Sequence, residues 1–274
     1  MNKKEEYIKR INKYFKNKKV RNKFLEQLEL FYKIKESKLS LPKYEIGTDI
    51  TLNKYHLLHG TRVKVNELNK IKETGLIAVE FYDKEYENQK KPYTSEFWTI
   101  KEEISIKDYL DKYTGGTLIF KRKESNIEFI DNIDNIPKII KDMQEPYANW
   151  EVYQTKEARF LPTNRNVTCA FILNTNNESI KMLNNSIQSN KLDEIIKKEI
   201  SPKWFYKKYV ENGFHNYDVF ETTREIAILF GLPSNLIEGI IVNKEIENNE
   251  SELNKIKEIF SNCYICNIEG KVIK

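Results

Sequence analysis

Apolar residues in the first 40 positions recur at steps of three and four: Tyr7, Ile8, Ile11, Tyr14 and Phe15, then Phe24, Leu28 and Phe31. That period belongs to an amphipathic helix, so it predicts two helices, broken near Asn17-Lys18-Lys19. Residues 37–43, with a proline and small polar residues, read as a linker. From Tyr44 the pattern changes to alternation that turns at Gly47, as a short strand pair does. An apolar, strand-like lead over 50–58 then delivers His59-Gly60-Thr61. Val65, Leu68 and Ile71 predict a short helix that Gly75 ends as its C′ residue.

Residues 80–93 are polar and aromatic, with Pro92 near their end, and predict a loop. Phe97-Trp98-Thr99-Ile100 is a brief apolar segment, and Ser105 can cap a helix carrying Ile106, Tyr109 and Leu110. A turn at Thr114-Gly115-Gly116 precedes a strand over 117–120. A helix is expected over 136–143, a buried strand over 166–173, and mostly helix over 177–209, where Pro202 marks a fresh start. Residues 220–230 then read as a strand, broken at Gly231-Leu232-Pro233-Ser234. A strand over 237–242, a helix over 250–260 and a strand over 263–273 turning near Gly270 close the chain.

At 274 residues, with 16 Tyr and 14 Phe, the chain has the material for a sizeable core. Its net charge of +5 is unevenly spread: residues 1–40 hold 13 Lys/Arg against 5 Asp/Glu, which leaves 33 against 36 beyond them. The basic character is therefore N-terminal. A solvated face explains it most simply, and an approach to phosphates or to an acidic partner is the functional alternative. No continuous apolar stretch follows the basic start, so no secretory signal is read. No run approaches the roughly 18 apolar residues that a spanning helix needs. The three cysteines suggest no disulfide framework. A cytoplasmic location away from membranes is expected.

The chemistry depends on Glu225, an acid at the start of an otherwise apolar strand. Such a group is either a solvated strand end or a positioned catalytic carboxylate. His56 lies three before His59, so on one strand they face opposite ways, and His56 is expected to be structural. His215 falls in an expected loop and reads as merely exposed. Cys263 and Cys266 have a C-x-x-C spacing but no second pair or nearby His, so two half-buried thiols are expected rather than a metal site.

Thr223-Arg224-Glu225, an alternating strand, a Pro-containing break and Ile237-x-Gly239-Ile240-x-Val242 together resemble the ADP-ribosyltransferase superfamily. Leu58-His59-Gly60-Thr61, followed by a helix and Gly75-Leu76, is similar to the first motif of its His-Tyr-Glu branch, that of diphtheria toxin and the poly(ADP-ribose) polymerases. Phe97-Trp98-Thr99, and Tyr109 on a short helix, look like the intervening elements. The resemblance covers roughly residues 44–274, and Tyr93 and Tyr113 are alternatives to Tyr109. It implies an α+β fold of two packed, mostly antiparallel sheets with helices around an NAD cleft. The basic helical segment 1–40 would precede this domain, which would span 41–274.

What the resemblance implies for the site is specific. Gly60 would offer backbone groups to the nicotinamide carboxamide, while His59 and Thr61 would hydrogen-bond ribose hydroxyls. Tyr109 would stack on the nicotinamide, and Phe97 or Trp98 would form the other wall. Arg62 and Arg224 flank this pocket and are either phosphate-holding or solvated. Glu225 would stabilise positive charge as the glycosidic bond breaks. Thr223 stands where the family often has an acceptor-orienting Glu or Gln, with Glu221 two further back, a departure that leaves the acceptor open. The implied activity is mono-ADP-ribosylation of a protein or nucleic acid, with NAD as substrate and no metal. A toxin- or defence-type setting would add an antitoxin or inhibitor as partner. The alternatives are an RNA 2′-phosphotransferase, an NAD glycohydrolase and a non-catalytic interaction module.

Overall fold

The two N-terminal helical patterns form α1 (Lys3–Tyr14) and α2 (Lys18–Glu36) in this computed structural model. The structure describes residues 2–16, 18–82, 94–100, 102–114, 118–122, 127–130, 150–154, 162, 167–175 and 225–274. The Asn2 side chain caps α1 by accepting from the Lys4 amide, and Glu5 and Glu6 complement its first turn. The apolar faces of both helices close on the body. Tyr7, Ile11, Phe15, Phe24, Leu28 and Phe31 share one core with Ala78, Phe81, Leu229 and Phe230. Arg10 also donates to the carbonyls of Glu80 and Phe81, at 2.6 and 2.9 Å. The basic segment is thus docked on the body, with part of its charge spent on fixing the helices.

The first strands are β1 (Thr51–Leu52) and β2 (His56–Thr61). A 3-10 turn then leads into α3 (Leu68–Thr74), which Gly75 ends at φ +86°, its amide donating to Ile71. Next come β3 (Leu76–Ile77) and α4 (Val79–Tyr82). The short α4 corrects the expected loop, because Phe81 is drawn into the aromatic core; residues 83–93 lie outside the described residues. The chain continues through β4 (Thr94–Thr99), β5 (Ile104–Ser105) and α5 (Ile106–Thr114), which Ser105 caps by accepting from the Asp108 amide. The strands β6 (Leu118–Arg122), β7 (Ile127–Ile130), β8 (Trp150–Gln154) and β9 (Cys169–Asn174) follow. The elements expected at 114–116, over 136–143 and over 177–209 fall wholly or largely outside the described residues.

The C-terminal part supplies β10 (Glu225–Leu229), β11 (Gly231–Leu232), β12 (Ile237–Val242), α6 (Lys244–Glu247), α7 (Glu250–Ile259) and β13 (Tyr264–Cys266). Alternation over 44–52 does not make a self-paired hairpin: β1 pairs with β5, and Asp49 bridges to Lys271. An alternating pattern determines which side is buried and says nothing of the partner strand.

The protein is α+β. Its main sheet has six strands in the order β10-β4-β2-β9-β12-β13, antiparallel except for β12–β13. Leu57, Phe97, Phe171 and Ile240 face one layer, closed by Leu68 and Ile71 of α3 and Leu253 and Ile256 of α7. Leu58, Trp98, Ile172 and Ile241 face the other, closed by Ile106, Tyr109 and Leu110 of α5. With both faces covered, interior strands read as near-continuous apolar runs, and β12 is buried along its whole length. Smaller sheets join β11 to β3 and order β7-β6-β8. Among the described residues, no helix is long and apolar enough to cross a membrane.

Candidate functional site

The His-Gly-Thr triplet ends β2 at a place where the sheet divides. On one side β2 pairs with β9 along its length, from His56↔Asn174 to Thr61↔Cys169. On the other, its pairing with β4 covers Leu57↔Thr99 and Leu58↔Trp98. Successive residues of an antiparallel strand bond to opposite neighbours. The Thr175 amide donates to the Tyr55 carbonyl at 2.8 Å across the β9 side. By that alternation Gly60 turns its amide and carbonyl towards β4, beyond the last β2–β4 pair. The missing Cβ leaves this stretch of backbone approachable.

The side chains around this edge divide between the two faces. His59 and Phe97 share a face, with ring centroids 5.1 Å apart, and His59 is half-buried. Thr61 is buried, and its hydroxyl accepts from the Val63 amide at 3.2 Å, turning the chain out of the strand. Arg62 is exposed beside it. Glu225 opens β10 and is registered with Trp98, which is registered with Leu58. Two inter-strand steps therefore separate Glu225 from the residue before His59, about 10 Å of backbone. Thr223 and Arg224 lie outside the described residues.

Tyr109 does not join this group. It is 1% exposed and packs with Leu58 and Trp98 on the face opposite His59 and Phe97. A tyrosine closed off in this way is a core residue, which corrects the expected stacking role. Trp98, on that same face, is likewise core. Phe97 alone of the two expected wall residues lies beside His59.

A second polar constellation was not anticipated from the sequence, and it lies at the other end of β2. Four adjacent strands each place one polar side chain in a row: His56 from β2, Asn174 from β9, Glu238 from β12 and Tyr264 from β13. Glu238 sits at a β-bulge, since Ile237 and Gly239 oppose the consecutive residues Leu173 and Ile172. A bulge re-aims a side chain out of the regular alternation. Here it turns a carboxylate that is 1% exposed into the row. His56 Nε2 donates to Glu238 Oε1 at 3.1 Å, Tyr264 donates to the same oxygen at 3.1 Å, and Asn174 donates to Oε2 at 2.6 Å. Burial, then the Glu238 charge, push the Tyr264 phenol well above its usual range. Gly239 is needed for close approach, because a Cβ there would overlap the Tyr264 ring. One signal for this row was present in the sequence: a lone acid inside the apolar run over 236–242.

The His56 ring has a defined state. Its Nδ1 accepts from the Asn53 amide at 2.9 Å, so the proton resides on Nε2 and the imidazole is neutral. Both nitrogens are engaged within the fold, which makes His56 a positioning group. Of the C-x-x-C pair, Cys263 packs in one layer and Cys266 in the other, as strand alternation implies. Burial pushes the Cys263 thiol up to about 11 and raises those of Cys169 and Cys266 further.

No protein-family model, no curated protein and no solved structure matches the chain.

Proposed function

We propose that the chain is an NAD-dependent mono-ADP-ribosyltransferase acting on a macromolecule, on an ADP-ribosyltransferase-type fold. The observation that carries this is the divided edge at Gly60. A carboxamide has one donor and one acceptor in a plane, and a strand residue offers the complementary pair, so a nicotinamide would extend the ladder where β4 leaves β2. His59 and Phe97 would supply a hydrogen-bonding group and an aromatic wall on one face, and Arg62 a charge for a phosphate. The aromatic strand β4 lies between the His-Gly-Thr strand and the strand that Glu225 opens, and this is the juxtaposition the proposal needs. Trp98, the register partner of Glu225, and His59 occupy opposite faces, so in this proposal the carboxylate would reach the substrate around the start of β10.

Glu225 would hold negative charge against the oxocarbenium character that develops as the nicotinamide bond breaks. Thr223 is the proposed acceptor-orienting group. With Tyr109 in the core, the second aromatic wall is left unassigned.

The test is nicotinamide release from NAD by wild type and Glu225→Ala, with and without a cell lysate containing its nucleic acids. Release that requires Glu225 and rises with lysate supports transfer, and labelled NAD then marks the acceptor. Release that lysate leaves unchanged identifies an NAD glycohydrolase. Absence of both release and NAD binding would refute the proposal.

A further inference from the structure

Beside the His56–Asn174–Glu238 row lies a cavity of about 440 Å³. The linker segment, through Leu39, Leu41 and Pro42, and Tyr44 just after it form one wall, and Leu236 adds an apolar side. Tyr44, 43% exposed, stands edge-on to Tyr264 with ring centroids 5.0 Å apart. The polar floor consists of His56, Asn174 and Glu238, with Thr51 and Asn53 beside them.

The charges on this floor do not balance. All three groups bonded to Glu238 donate to it, so both its oxygens serve as acceptors. None of the three is a cation: Asn174 and Tyr264 are neutral, and the Asn53 amide holds His56 neutral. Among the described residues, no Lys or Arg lines the cavity or pairs with Glu238. A buried carboxylate without a counter-charge is unfavourable unless something positive comes to it. Neutral donors lessen that penalty without supplying a counter-charge.

We propose that this cavity is a binding site for an organic cation, a guanidinium or primary amine on an alkyl stem. The charged head meets the field of Glu238 over the polar floor, the stem lies along Leu39, Leu41 and Leu236, and the Tyr44 ring flanks the cation at the mouth. A linear cation suits an apolar-walled cavity with one acid at its base. The cation is either a free small molecule or an Arg or Lys side chain of a protein. The site lies at the start of β2, about four strand residues (roughly 13 Å) from Gly60, and needs no NAD.

Calorimetric titration of the full chain with n-butylguanidinium and with its neutral isostere n-butylurea tests this directly. Binding of the cation and not of the urea is expected, weakened about tenfold to a hundredfold in Glu238→Gln, which keeps the shape and removes the charge. Leu41→Trp, which narrows the cavity, should abolish binding and keeps the test open if Glu238→Gln does not fold. A capped Gly-Arg-Gly peptide separates the sources: tighter binding than butylguanidinium marks a protein side chain, and no peptide binding marks a free cation. The proposal is overturned if butylguanidinium does not bind, if butylurea binds as well, or if either variant binds like wild type.

Discussion

His56 and Glu238 lie 182 positions apart in the chain and meet across β9, imidazole Nε2 to carboxylate Oε1 at 3.1 Å. The contact needs β9 to lie between their strands and a bulge to turn Glu238 into the row. Removing one partner of such a pair is worse than never having had it, because the other stays buried and short of a bond. His56→Ala is expected to lose about 1–3 kcal/mol of stability in denaturant unfolding. A loss within error would mean that the carboxylate is satisfied without the ring.

Gly239 and Tyr264 should be energetically coupled. Gly239→Ala forces the Tyr264 ring off the strand and with it the bond to Glu238. Overpacking of this kind costs about 1–3 kcal/mol. Once Tyr264→Ala has removed the ring, the same Gly239→Ala change should cost much less. A double-mutant cycle reads the difference, and strict additivity would show that the ring is not what requires the glycine.

The elements legible in the sequence were those whose information is local. The three–four spacing of Tyr7, Ile11, Phe24 and Leu28 marks helix whatever the rest of the chain does, and Gly75 and Ser105 mark helix ends through backbone chemistry alone. The partner of β1 was not legible, since Leu52 meets Ile104 through pairing that alternation cannot specify. Nor was the role of Tyr109 legible, because a tyrosine on an amphipathic helix looks the same whether it lines a cleft or fills a core. Glu238 fell between the two residues that matched a motif, and its partners come from three other strands. His59, Gly60 and Phe97 were singled out in sequence and are adjacent in space.

The docked N-terminal helices carry a stability prediction of their own. Phe24, Leu28 and Phe31 are fully or almost fully buried in a core shared with Phe81 and Phe230. Leu28→Ala is expected to cost about 2–5 kcal/mol, read as a shift in denaturant midpoint. Deletion of residues 1–40 should yield a chain that does not fold cooperatively. If the deletion variant melts cooperatively at the full-length temperature, residues 41–274 are an independent unit and the helices an accessory.

Alkaline pH should destabilise the fold. Burial raises the Cys263 thiol from 9.0 to about 11, and burial followed by the Tyr32 charge raises the Tyr7 phenol from 10.0 to about 12. In both cases the folded state binds its proton more tightly than the unfolded state. Their stabilisation is therefore complete below about pH 9, declines as the unfolded groups ionise, and is gone above the folded values. Melting temperature should fall from about pH 9 upward, and Tyr7→Phe should flatten the part of the decline above pH 10. A melting temperature constant to pH 11 would contradict the burial of both groups. The same burial makes all three thiols unreactive towards a disulfide reagent at pH 8 until the chain unfolds.

The proposed chemistry stands or falls at Glu225, and its test must separate charge from structure. Glu225→Gln preserves the size of the side chain at the start of β10 and removes the charge that would oppose the developing oxocarbenium character. Loss of one preorganised electrostatic partner lowers turnover about 10²- to 10³-fold. Nicotinamide release should fall by that factor in Glu225→Gln, with NAD affinity and melting temperature held near wild type. His59→Ala should weaken NAD binding as well, because in the proposed site that ring would touch the substrate and not only its transition state. Equal effects of both variants on affinity alone would make Glu225 a binding residue. Unchanged release in Glu225→Gln would show that cleavage does not depend on this carboxylate and would overturn the role proposed for it.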